Sequence, residues 1–261
     1  MPERQFVKVS IEERIATITI DHPPVNAFDR VTMSELAEAI DEVLANREVK
    51  AVIITGAGQV AFVAGADINE LKAVAGSDTV RDLSLAGQAV FNRIEHAHKP
   101  FIAAINGVCL GGGLELAMAC HIRIAGDRVR LGQPEINLGI IPGWGGTQRL
   151  SRIVGRAKAI ELILTGDAIT AQEAYRLNLV NRVVPAGEVL KTARDLARKI
   201  VAKPGLAMAA ALQAIDQGLG MPLDQALAHE ANLFAQLALT EDMREGVTAF
   251  LEKRQPQFKD R

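Results

Sequence analysis

Cysteine is scarce here: two in 261 residues, Cys109 and Cys120, both with apolar neighbours. That excludes a disulfide framework and points to buried thiols. Aromatic residues make up 4%, with one Trp and one Tyr, so residue types alone do not size a pocket. Neither sign of charge dominates. With 29 basic against 31 acidic residues the formal net charge is −2, and no electrostatic footprint for nucleic acid or an anionic membrane stands out. No uninterrupted apolar run reaches the ~18 residues a transmembrane helix needs. The opening "MPERQFVKVSIEER" is polar and charged, without the apolar stretch of a secretory signal. The expectation is a cytoplasmic protein that binds neither membrane nor nucleic acid. Neither phosphate-loop nor dinucleotide glycine pattern occurs. Ser84 and Ser151 lack the flanking glycines of a nucleophile elbow. His22, His96, His98, His121 and His229 show no metal-ligand spacing with cysteine, so no metal is expected.

What is present is an ordinary soluble composition, 49% apolar and 23% charged, enough for one large domain or two modest ones. "FVKVSI" and "IATITIDH" alternate as two short strands of a hairpin with "EER" between them. From Thr32 a helical face follows, with Leu36, Ile40 and Leu44 four apart. "AVIITGAG" (51–58) and "KPFIAAINGV" read as buried strands, with a helix over Val80 to Ile94 between them. "HIRIAG" (121–126) and "VRLGQPE" (129–135) add two more. After about residue 143 the chain turns helical apart from "VNRVV" (180–184), and four helical stretches follow Val189. The resulting expectation is an α/β core over 1–188 and a helical part over 189–261. The apolar faces of the last helices exceed what one subunit needs, which implies assembly into an oligomer.

Three segments could carry chemistry. In "NGVCLGGGLELAMAC" (106–120) a strand runs out, three glycines turn the chain, and an apolar helix begins around Leu114 with one carboxylate, Glu115. The glycines admit two readings: a tight turn with close strand–helix packing, or a set of free backbone N–H groups for a developing negative charge. Glu115 is costly in such surroundings unless paired, functional, or stabilised by the helix N-terminus. In "GQPEINLGIIPGWGG", Glu135 follows Pro134 at a strand end, where sites in α/β folds are built, although a solvated loop charge is equally consistent. In "FVAGADINEL" (62–71) small residues precede Asp67, a helix cap candidate.

Taken together, "FVAGADINEL", "KPFIAAINGVCLGGGLELAMACHIRIA", "GQPEINLGIIPGWGGTQRL" and "LTGDAITAQEAYRLNLVNRVV" resemble the signatures of the crotonase (enoyl-CoA hydratase/isomerase) family, in the family's order. The resemblance continues into "REGVTAFLEKRQPQF" and so covers essentially the whole chain. It implies a crotonase-like spiral of repeated ββα units followed by a helical trimerisation region. It also implies a homo-oligomer, trimer or dimer of trimers, acting on acyl-CoA thioesters. No cofactor is implied beyond the coenzyme A that the substrate carries.

By the same resemblance, the oxyanion hole is formed by the N–H groups of Ala66 and Gly112, with the glycines leaving room for the thioester carbonyl. Glu115 and Glu135 are the catalytic pair, Glu115 activating water and Glu135 protonating the α-carbon. One carboxylate ionised and the other protonated can serve both steps. Ala64, Asp67 and Ile68 from the first loop and Gly111 from the second fall at substrate-binding positions. So do Pro142, Gly143 and Trp144 from the third, Trp144 either shaping the acyl pocket or anchoring its loop. Gly143 stands where dienoyl-CoA isomerases and a dehalogenase of the family carry Asp, which argues against those chemistries. An enoyl-CoA double-bond isomerase and an RNA-binding homologue are the alternatives. Two departures touch the CoA phosphates: Asn69 replaces a common basic residue, and "HPPVNAF" has no lysine. Lys253 matches a C-terminal basic position that can reach a neighbouring subunit's CoA.

Overall fold

The computed structural model describes residues 4–261. Strands β1 (Val7–Glu12) and β2 (Ile15–Ile20) pair antiparallel, as expected. Their two-residue turn places Glu13 and Arg14 at φ 52° and 65°, the twist sense that suits a tight hairpin. Helix α1 (Arg30–Ala45) starts two residues before Thr32, because the Asp29 carboxylate accepts from Thr32 N at 2.7 Å and caps it there. Leu36, Ile40 and Val43 of α1 are fully buried.

Three coils of the chain follow, each a strand in a large sheet, a short strand in a small one, and then a turn into a helix. The first runs through β3 (Ala51–Gly56), β4 (Ala61–Val63) and α2 (Ile68–Val74), with α3 (Val80–Glu95) after it. The second is β5 (Phe101–Ile105), β6 (Val108–Leu110) and α4 (Gly112–Ala119). The third is β7 (Ile122–Gly126), β8 (Arg130–Gly132) and a 3₁₀ turn over Pro134–Leu138, ahead of α5 (Gly146–Val154) and α6 (Arg156–Thr165). Then come β9 (Ile169–Thr170), α7 (Ala171–Arg176) and β10 (Arg182–Val184).

The large sheet has the order β1-β2-β3-β5-β7-β10, parallel except at β1. The small one has the order β4-β6-β8-β9, antiparallel only at β9. The result is the α/β spiral of ββα units expected. Three details differ from the expectation. "KPFIAAINGV" is two strands in different sheets, and helix α4 begins at Gly112, not Leu114. Glu135 sits on the 3₁₀ turn rather than on a strand.

Helix α8 (Val189–Val201) lies past the division expected at residue 188, yet it covers the second face of the large sheet. Val189, Ala193 and Ala197 pack there against Ile53, Ile102 and Ile124. The packing changes after it. In α9 (Gly205–Gly218), α10 (Leu223–Leu237) and α11 (Glu241–Leu251) only Leu233, Asp242 and Ala249 are buried. Large apolar side chains stand exposed there, Phe234 at 71% and Phe250 at 83% among them. A polar knot fastens this region to the core. Asp260 Oδ1 accepts from Lys50 Nζ at 2.8 Å and from Gly205 N at 2.6 Å. Among the described residues no helix is long and apolar enough to cross a membrane.

Candidate active site

The ends of β4, β6 and β8 open on one cleft of about 1310 Å³, walled by α3 and by the loop of residues 139–145. Each coil brings one part of its chemistry. In the first, Phe28 N donates to Gly65 O and Asp67 N donates to Phe28 O, both at 2.8 Å. Those two bonds use the neighbours of Ala66, so the N–H of Ala66 faces away from Phe28, and Ala66 lines the cleft. Gly65 reaches this geometry at φ 101°. Asp67 accepts from Asn69 N at 2.7 Å and Glu70 N at 3.2 Å, the cap that starts α2. Ala64 and Ile68 line the same mouth.

The second coil supplies Gly112 as the first residue of α4, where the N–H has no intrahelical acceptor. Neither it nor Ala66 N donates to another group among the described residues. The three glycines have three different neighbours. A Cβ on Gly111 would lie 2.9 Å from Glu135 Oε1, one on Gly112 2.5 Å from Cζ3 of Trp144, and one on Gly113 2.1 Å from Val63 O. The expectation that the glycines simply clear space for a carbonyl therefore needs amending. They also clear the second carboxylate, an indole and strand β4.

One turn further, Glu115 is 2% exposed. Its Oε1 accepts from Trp144 N and Gly146 N, both at 2.7 Å. Oε2 has no protein hydrogen-bond partner among the described residues, and Glu115 lines the cleft. Burial pushes this carboxyl up to about 7, against the pull of the two N–H groups and of Arg149.

The third coil supplies Glu135 and, two residues earlier, Gln133. The Gln133 side chain is wholly buried, and in the orientation that satisfies both groups its amide donates to Glu135 Oε1 at 2.9 Å and Oε2 at 3.0 Å. Burial first, and then the charge of Glu115, raise the Glu135 carboxyl to about 7 as well. Gln133 was not singled out in the sequence. The one signal for it is a polar residue entering an apolar strand end, and a single glutamine carries little pattern.

Pro142, Gly143 and Trp144 complete the wall. Trp144 meets Phe28 and Phe91 edge-on, each at 5.8 Å between ring centres. It both anchors its loop and lines the cleft. Lys253 is the exception. It is exposed just past the end of α11 and is not among the residues lining the cleft of its own chain. Cys109 and Cys120 are free, buried thiols, the latter pushed up by burial to about 12. Neither takes part in the site.

Two titratable carboxyls near neutrality, opposite two free backbone N–H groups, can accept one proton, deliver another and hold an oxyanion between them. Known proteins resemble the chain over nearly its whole length. A family model described as enoyl-CoA hydratase/isomerase matches residues 10–261. The chain is 47% identical over 254 residues to a short-chain-enoyl-CoA hydratase of Clostridium acetobutylicum, covering 96% of each protein. It is 44% identical to a crotonyl-CoA hydratase of Syntrophomonas wolfei, covering 95% of each. An enoyl-CoA hydratase structure from Bacillus anthracis superposes with a TM-score of 0.94 at 37% identity, covering 98% of this chain and 100% of the other. The chain belongs to the enoyl-CoA hydratase/isomerase family.

Proposed function

We propose that this protein is an enoyl-CoA hydratase, adding water reversibly and syn across the double bond of a 2-trans-enoyl-CoA to give a 3-hydroxyacyl-CoA. The observation that carries this reading is the pair Glu115 and Glu135 on one cleft, each raised to about 7. The names of the relatives above support it.

The thioester carbonyl sits between the N–H groups of Ala66 and Gly112. Ionised Glu115 takes a proton from water through Oε2 as the water oxygen bonds to the β-carbon. The double-bond electrons move onto the thioester oxygen, where the two N–H groups stabilise the enolate; one such donor is worth ~2.7–4 kcal/mol. Protonated Glu135 then gives its proton to the α-carbon and the carbonyl re-forms. The pair ends with its proton on the other carboxyl and the same total charge. Because the two share that proton near pH 7, the reaction runs in either direction from the same site.

No cofactor enters this scheme beyond the substrate's own CoA. Lys253, exposed and outside its own chain's cleft, fits a contact to the CoA of an adjacent subunit in a trimer or dimer of trimers, and the exposed apolar faces of α9–α11 are where such subunits would meet. A cytoplasmic location suits the same reading.

The test is loss of the conjugated enoyl-thioester absorbance with crotonyl-CoA. Wild type should bleach it, while Glu115→Gln and Glu135→Gln should each lose at least about 10²-fold in kcat, the scale of general acid–base catalysis. A Glu115→Gln variant that keeps full turnover while Glu135→Gln is dead would replace hydration by single-base double-bond isomerisation.

A further inference from the structure

Helix α3 carries a stripe that the two-carboxylate scheme does not use. Ser84 and Gln88 stand on one face with Gly87 beside them, and the same face continues through Asn92 and Glu95, spaced by three or four residues. The first two hydrogen-bond to one peptide, the link between Gly143 and Trp144, and Gly87 meets the indole beside it. Ser84 Oγ donates to Gly143 O at 2.5 Å, and Gln88 Nε2 donates to the same oxygen at 2.9 Å. The N–H of that same peptide belongs to Trp144 and donates to Glu115 Oε1 at 2.7 Å. Gly87 is the notch for the indole, since a Cβ there would fall 2.4 Å from Cδ1 and Nε1 of Trp144. Further along, Asn92 Oδ1 and Glu95 Oε2 accept from Arg149, which in turn donates to Trp144 O at 2.9 Å.

The peptide is therefore gripped at its carbonyl from α3 and at its N–H by Glu115. Rotating it breaks three bonds at once. A carbonyl accepting two hydrogen bonds also polarises its peptide and makes the N–H a stronger donor. We propose that Ser84 and Gln88 are positioning residues for the reaction, orienting and polarising the Gly143–Trp144 peptide so that its N–H keeps Glu115 ionised and ready to accept a proton from water.

The role in turnover rests on the hydratase reading above, while the effect on Glu115 does not. The other groups facing Glu115 stay in place when these two are changed: Gly146 N–H and Arg149 from α5, and Glu135 from the 3₁₀ turn. The sign follows. A weaker N–H donor favours the protonated carboxyl, so Glu115 should titrate at higher pH. A base must be ionised to act, so the acid limb of the pH–rate profile should move upward with it.

The experiment uses the full chain in two measurements. Infrared titration of the unliganded protein, with the Glu115 band assigned by its loss in Glu115→Gln, reads the carboxyl directly. Steady-state kinetics with crotonyl-CoA reads the consequence. In the Ser84→Ala/Gln88→Met double variant the Glu115 midpoint should rise by about 0.5–1 pH unit, and the acid limb of kcat should follow it. At neutral pH kcat should fall about two- to fivefold, as the ionised fraction of Glu115 falls, with KM inside about threefold. Ser84→Thr, which keeps the hydroxyl, should behave as wild type. Either single variant, with one donor left, should show a smaller shift of the same sign, which covers a double variant that does not fold. An unmoved Glu115 midpoint, or a kcat loss equal at all pH with a lowered melting temperature, would overturn the proposal. If the wild type does not act on crotonyl-CoA but the midpoint still moves, the hydratase reading falls and the positioning role stands.

Discussion

The Glu115 carboxyl is held by two backbone N–H groups in a site that removes it from water, and its titration links the site to stability. Its ordinary value is 4.5 and in the fold it stands at about 7. The folded protein thus binds this proton more tightly than the unfolded chain. The contribution is fully present below 4.5 and is lost as pH rises through 7. Glu115→Gln has no such titration. Its melting temperature should therefore gain on wild type by a few degrees between pH 5 and 8, measured side by side by calorimetry. Gln133 should act on the other carboxyl. Gln133→Leu removes two N–H donors from Glu135 and strands a carboxylate, so Glu135 should stay protonated to higher pH. The alkaline limb of the pH–rate profile should move upward. Both glutamates were legible as residues because a charge inside an apolar segment stands out. Gln133 was not, since its meaning lies in an orientation that only the assembled loop defines.

At the scale of elements, the long pieces were readable and the short ones were not. Helix α1 and helix α3 show their apolar periodicity, and β3 and β5 are unbroken apolar runs. Strands β4, β6 and β9 have three, three and two residues, too few for alternation to register. Their pairing is decided by the coil before and after them, which no local pattern encodes. The same limit explains the start of α4. Glycines rank low in helices, yet α4 starts on Gly112 and Gly113, where the neighbouring indole and β4 leave no room for a side chain. Gly113→Ala should consequently destabilise by ~1–3 kcal/mol through overpacking against the Val63 carbonyl, read as a lower denaturant midpoint with unchanged slope. Gly87→Ala presses on the indole instead. Its effect should fall on kcat, through the loop that holds Glu115, more than on the midpoint.

Across the whole molecule, the core is complete without α9–α11, and those helices keep most of their apolar side chains exposed. Phe234 of α10, Leu239 of the turn after it and Phe250 of α11 are 71%, 78% and 83% exposed. Apolar faces of that extent mark association surfaces. Sedimentation should give a multiple of the 28.0 kDa chain mass, and Phe234→Asp with Phe250→Asp should shift it toward the monomer. The division between core and helical part was expected at residue 188, ahead of the four helical stretches. The packing instead changes at Lys203–Gly205, because α8 is amphipathic in the ordinary way and its small residues Ala193 and Ala197 lie flat on the large sheet.

The three coils also set the distances of the chemistry. Ala66, Gly112 and Glu135 each follow a strand of one small parallel sheet, β4, β6 and β8. Neighbouring strands are kept ~4.8 Å apart by main-chain hydrogen bonds, whatever side chains they carry. The backbone thus fixes the spacing of Ala66, Gly112 and Glu135. Substitutions that erode the core, such as Cys109→Ala within β6, should lower the melting temperature while leaving turnover per folded molecule nearly as it was. Robust spacing of this kind lets the walls of the cleft be rebuilt for other acyl groups without resetting the distances on which the reaction depends.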